Sequence, residues 1–229
     1  MSEELSQGVK DAIPIVLGYL PLGFAFGVLA GQAGMSVFQA GFMSLVCFTG
    51  AGQYIAIGLM KAQGAILTII TTNLLVSLRY FLFSTALVPH LKKNIPTPIA
   101  TLLAYGITDE TYAVAINRYQ QHQASTSYMA SLNITAHLGW LASTLLGALC
   151  GTLITNTDKL GLGFALPAMY TCLLVLMISK KSHAMVAVFS AVTCLLVGYI
   201  MPSSMVNLSN IVIATLLGAT LGVFIDGRK

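Results

Sequence analysis

Apolar windows about twenty residues long follow one another along this chain with little between them. They fall at roughly 12–31, 37–60, 64–88, 97–117, 128–154, 160–179, 184–201 and 206–225. Each is long enough to cross about 30 Å of hydrocarbon as a helix. Backbone polar groups in lipid must be satisfied within the segment, which leaves the helix as the fold for such windows. The pattern predicts an all-α, polytopic transmembrane bundle of seven or eight spans, forming one integral-membrane domain over 1–229. Charge content agrees: 8 % of residues are charged, against roughly 25 % in soluble domains. The surface is expected to face the lipid bilayer. No long basic arm of the kind that binds nucleic acid is present, and the net charge of +4 fits basic cytoplasmic loops.

Lysine and arginine set the orientation. With eight spans, one side holds Lys10, Lys61, Arg118, Lys180, Lys181, Arg228 and Lys229, and the other holds Lys92, Lys93 and Lys159. That asymmetry places both termini in the cytoplasm. If 37–60 dips in and returns on the same side, seven crossings remain and the count nearly inverts. The chain opens with Glu3 and Glu4, and no small-residue cleavage site follows, so the first span is expected to be retained. Cys47, Cys150, Cys172 and Cys194 all lie inside windows without ligand-pair spacing and read as apolar packers.

Small residues organise several windows. Gly23, Gly27 and Gly31 share one helix face, just after Pro21. Spacing of this kind lets a second helix approach closely. The string TLLGA-x-x-G occurs at 144–151 and 215–222, and LGFA at 22–25 and 162–165, which together hint at an internal repeat. In FTGAGQYIA (48–56), Gly50 and Gly52 flank mid-window backbone beside Gln53, which predicts a broken helix near Gly50–Gly52. Non-helical backbone at membrane depth is tolerated only where it is buried in protein or lines a cavity. Gly50, Gly52 and Gln53 are therefore candidate substrate contacts, with a tight helix crossing as the alternative.

Three charges lie inside windows: Arg79, Asp109 and Glu110. An ionisable group in hydrocarbon is costly unless paired or wetted, and so marks a functional site by default. If 64–88 and 97–117 are antiparallel neighbours, Arg79 and Asp109 lie roughly 14 and 18 Å deep at 1.5 Å per residue. An Arg79–Asp109 or Arg79–Glu110 pair is then within reach, and one acid is left over. A spare carboxyl at that depth is a candidate to load and release a proton. The guanidinium offers a planar fork for a substrate carboxylate, an acid offers a place for an ammonium, and apolar walls would accept a hydrophobic side chain. His137, one turn from Trp140, is a possible proton relay or a helix-packing residue.

The strings LPLGFAFG (20–27), FTGAGQYIA (48–56), SLRYFLFS (77–84), TDETYAV (108–114) and LGFALPA (162–168) together resemble the AzlC family, the large subunit of bacterial branched-chain amino acid exporters. The resemblance implies antiport-type efflux of valine, leucine, isoleucine, methionine or similar amino acids across the inner membrane. It also implies drive by the proton gradient, a small multi-spanning AzlD-type partner and no cofactor or metal. It adds Ser77 and Tyr80 to the candidate substrate contacts. The family often has Asn at the Ser77 position, His at the Tyr80 position and an acid at the Gly163 position. With one acid fewer, any proton role falls to Asp109 and Glu110.

Two other classes compete. A membrane-embedded hydrolase would use His137 with Asp109 or Glu110, but the chain has no HExxH pair and no GxSxG elbow. A passive pore or scaffold subunit would be expected to show rings of like charge or repeated polar residues along one span, and none is evident.

Overall fold

The computed structural model describes residues 2–92, 94–151, 180–202 and 209–226, with 164, 167, 168, 171, 174, 175, 178 and 204 in addition. Among the described residues all regular structure is helical. The helices are α1 (Ser2–Gln32), α2 (Val37–Val46), α3 (Ala51–Lys61), α4 (Ile66–Leu91), α5 (Thr97–Ala104), α6 (Asp109–Tyr119), α7 (Thr126–Gly151), α8 (Lys181–Ile200) and α9 (Ser209–Asp226). Four are long and apolar enough to cross a membrane: Glu3–Gln32, Ile66–Leu91, Thr126–Gly151 and Lys181–Ile200. The window 160–179 and the LGFALPA string lie outside the continuously described residues.

The single domain expected from the short connections is organised as two compact units, Met1–Gly64 with Val76–Leu166, and Ala65–Leu75 with Pro167–Lys229. In the second unit α8 packs on α9, and a Cβ at Gly218 would stand 2.0 Å from Ser190 Oγ. The second TLLGA-x-x-G string is thus a helix crossing.

The first unit is built on α1 and α7. These helices run parallel in close register, with Gly8 against Ser131, Gly23 against Ser143 and Gly151 against Val28. A Cβ at Gly147 would fall 2.0 Å from the Phe24 carbonyl oxygen, and one at Gly27 would fall 2.2 Å from that of Thr144. Main chain meets main chain there, so glycine is required. Gly31, the third member of the expected stripe, faces open space.

Two of the eight expected spans are not continuous helices. The window 37–60 breaks between Val46 and Ala51, where Gly50 takes φ 49° and ψ −86°. The chain then folds back: Gln53 hydrogen-bonds Ser44 at 2.9 Å, nine residues earlier. At 1.5 Å per residue a straight helix would separate them by about 13 Å. Phe48 packs on Tyr19 of α1, whereas Tyr54 packs on Phe26, so α3 retreats toward the end of α1 from which α2 descended.

The window 97–117 is a correction of another kind. It was expected to cross, but it breaks at 105–108 and also returns. Pro89, His90 and Asn94, at the end of α4, share a cavity of about 310 Å³ with Tyr119–Ala124, just after α6. Both ends of α5–α6 therefore lie at one face. Phe83 stacks on Tyr112 at 4.5 Å, which makes α4 and α6 parallel neighbours rather than antiparallel ones. A capping box causes the break: Thr108 Oγ1 accepts from the Thr111 N–H at 3.2 Å and the Thr108 N–H bonds Thr111 Oγ1 at 2.8 Å. That device starts a new helix at Asp109.

These half-helices, of 10, 11, 8 and 11 residues, extend about 12–17 Å each, which reaches the middle of a bilayer but does not cross it. The order "re-entrant pair, then a 26-residue helix" thus occurs twice, in α2–α3–α4 and in α5–α6–α7. The first pair enters from the face where α1 ends, the second from the face where α1 begins. This is an inverted repeat, located elsewhere than the LGFA echo, whose second copy lies outside the described residues. The loop assignment changes as well. Lys92 lies at the face of Lys10 and Arg118, and Lys61 at the opposite one.

Candidate functional site

The tips of the two re-entrant pairs meet. At the first, the last carbonyls of α2 lack helical partners and draw donors from other helices. His137 Nε2 donates to the Ser44 carbonyl at 3.0 Å, and the Tyr105 hydroxyl donates to that of Leu45. Beyond the helix end, the Tyr80 hydroxyl donates to the Thr49 carbonyl at 3.0 Å. At the second tip, Asn133 Nδ2 donates to the Leu103 carbonyl at 2.8 Å and Thr111 Oγ1 to that of Gly106 at 2.9 Å. The irregular backbone of both tips is thereby given protein partners, although Leu45, Val46, Cys47 and Tyr105 remain exposed.

Two of the three expected charges, Arg79 and Asp109, pair here. Arg79 Nη1 lies 3.1 Å from Asp109 Oδ2, with the side chains 23 % and 18 % exposed, so the pair is neither sealed nor out in the open. Arg79 Nη2 also donates to the Tyr80 hydroxyl at 3.1 Å, which links the ion pair to the first tip. Asp109 and Glu110 occupy the first turn of α6, where the helix dipole favours negative charge.

Glu110 points elsewhere. Its Oε2 accepts from the Tyr19 hydroxyl at 2.7 Å, and the same hydroxyl is 2.8 Å from Thr108 Oγ1. Tyr19 stands edge-on to Phe48 and Trp140, at 6.1 and 5.3 Å between ring centroids. It touches both tips and was not anticipated from the sequence. Nothing in the string LGYLPLG separates it from an ordinary core tyrosine.

The remaining candidates take distinct places. Gln53 is fully enclosed: its Oε1 accepts from Trp140 Nε1 at 2.9 Å, its Nε2 donates to Ser44 Oγ, and Ser44 Oγ donates to Thr144 Oγ1 at 3.0 Å. It ties the first tip to α7. Gly50 faces the Trp140 ring, and Gly52 is buried in the first turn of α3. Ser77 sits half-buried on α4, two positions before Arg79. His137 stacks on Phe48 at 4.4 Å, and its hydrogen bond goes to a backbone carbonyl rather than to an acid.

Comparison with known proteins bears on this arrangement. The model of the family described as AzlC protein matches residues 14–154, the stretch that holds both re-entrant pairs and every charged residue of the site. The chain belongs to the AzlC family. It is 27 % identical over 226 residues to the inner membrane protein YgaZ of Escherichia coli, covering 96 % of this chain and 89 % of that one. It is 24 % identical over 220 residues to the branched-chain amino acid transport protein AzlC of Bacillus subtilis, covering 95 % and 82 %. An uncharacterised membrane protein of Archaeoglobus fulgidus is 32 % identical over 170 residues, covering 73 % of each chain. No solved structure matches. Every candidate site residue of this AzlC protein lies among the described residues; Gly163, where the chain departs from the family pattern, and Cys172 lie outside them.

Proposed function

We propose that this protein is a secondary active exporter of branched-chain and other apolar amino acids in a bacterial inner membrane. It is driven by the proton gradient and works with a small AzlD-type subunit. The observation that carries the reading is the pairing of Arg79 with Asp109 where two opposed re-entrant tips meet. Inverted repeats with discontinuous helices and a midplane site are a recurrent transporter plan. The name of the Bacillus subtilis relative supports the substrate class.

In this reading a substrate carboxylate competes with Asp109 for the Arg79 fork, and the freed acid receives the ammonium. Glu110 carries the proton. Ionised, it accepts a hydrogen bond from the Tyr19 hydroxyl. Protonated, it donates instead, and Tyr19 turns its own proton to Thr108. A hydroxyl serves both states without moving a helix. Lys10, Lys92 and Arg118 against Lys61 favour a cytoplasmic face where α1 begins.

The test is efflux from cells fed hydrophobic dipeptides, with and without this protein and its partner, by measuring amino acids in the medium. Faster appearance of valine, leucine or isoleucine is expected. Identical export in both strains refutes the function.

A further inference from the structure

Below Glu110, between α1 and α6, lies a cavity of about 600 Å³ whose walls include Lys10, Asp11 and Pro14 of α1 and Val114, Asn117 and Arg118 of α6. The two helices are antiparallel, so the groove runs from the face where α1 begins toward the Tyr19–Glu110 contact, one turn of α6 beyond Val114. Its walls are held in place. Arg118 Nη2 bonds Glu4 Oε1 at 2.8 Å and its guanidinium lies 4.3 Å over the Tyr128 ring. Asp11 accepts from Tyr128 Oη at 2.8 Å and from Gln7 Nε2 at 2.7 Å.

The charge balance of this groove is specific. Arg118 is already neutralised by Glu4. Neither hydrogen-bond partner of Asp11 carries a charge, so its negative charge is oriented but not compensated. Lys10, exposed and adjacent in sequence, enters no ion pair among the described residues. One fixed anion and one free cation thus flank an apolar strip of Pro14, Ala113 and Val114. A small anion or cation alone would leave one of the two unanswered, whereas a zwitterion with an apolar side chain answers both.

We propose that this groove is a loading site for a zwitterionic apolar amino acid, with Lys10 taking the carboxylate and Asp11 the ammonium, before passage to Arg79. The proposal rests on the transport reading above and names a site which that reading does not need.

The test uses the full chain, co-expressed with its partner, in two assays: binding of radiolabelled leucine to purified protein and leucine efflux from cells. Lys10→Gln should weaken binding about tenfold, the loss of one charge-assisted contact, and raise the half-saturating internal leucine concentration while keeping the maximal rate. Lys10→Arg should restore both. Asn117→Trp, at an exposed position, should fill the groove and act as Lys10→Gln does without burying a new charge. Leucinamide, which lacks the carboxylate, should bind wild type and Lys10→Gln alike. Efflux by wild type with unchanged binding and half-saturation in Lys10→Gln and Asn117→Trp overturns the loading site and leaves transport standing. Neither binding nor efflux by wild type overturns both.

Discussion

Arg79 and Asp109 meet at 3.1 Å because α6 starts at Asp109. Had 97–117 crossed as one helix, the two residues would lie on antiparallel neighbours. Instead α6 returns beside α4 in the same direction, and its first residue is delivered to the middle of α4. A carboxylate at a helix start gains from the dipole as well as from the guanidinium. Arg79→Lys keeps the charge but loses the fork. Losing one charged hydrogen bond of about 1.5–3 kcal/mol should cut export roughly tenfold or more, with unchanged amounts of inserted protein on immunoblots. Full export by this variant would make Arg79 a structural pin.

Glu110 and Tyr19 should separate from that pair by their response to pH. Glu110→Gln is expected to flatten the pH dependence of efflux, and Tyr19→Phe to alter its shape while leaving leucine binding intact. Asp109→Asn should lower the rate across the whole pH range. If Glu110→Gln and Tyr19→Phe both keep the wild-type profile, the proton travels by another route.

Gln53 should behave as a structural residue. Gln53→Leu leaves Trp140 Nε1 without its partner in an enclosed site and removes one of the two hydrogen bonds of Ser44 Oγ, a loss of about 1–3 kcal/mol. A lowered melting temperature with unaltered substrate half-saturation is the expected outcome. The reverse result would return Gln53 to the substrate site.

The α1–α7 crossing gives a paired comparison. Gly147→Ala drives a methyl into the Phe24 main chain and should cost about 1–3 kcal/mol or more. Gly31→Ala meets nothing within 4 Å and should leave stability near wild type. Thermal unfolding in detergent reads both.

The re-entrant topology is open to direct labelling. In a cysteine-free background, Gln63→Cys and Gln121→Cys should react with an impermeant maleimide from opposite sides of the membrane. An eight-span path places both positions on one side, so labelling from a common face would restore it.

Much of this was legible in the residues. Gly50 and Gly52 around a buried amide announced the first break, and the cost of unpaired charge announced that Arg79 would find an acid. The second break was hidden by hydropathy, because 97–117 is apolar enough to read as one helix. Its signal lies in Thr108-Asp109-Glu110-Thr111: a cap residue, two acids and a reciprocal cap partner, which is how helices begin. Read as charges alone, the acids drew attention to pairing and away from the helix start they mark. Tyr19 carries no such pattern, since its role depends on where α6 returns.

The first re-entrant pair spans residues 37–61, yet the side chains that satisfy its free carbonyls are Tyr80, Tyr105 and His137. All three are made later. During synthesis the chain therefore carries a bent, half-depth loop whose backbone gains its protein partners only as α4, the end of α5 and α7 follow it from the ribosome. Until then water, the insertion machinery or a waiting companion subunit has to shelter it. Truncations that end before residue 137 would strand this loop in its unfinished state, so they are targets for membrane quality control rather than working fragments.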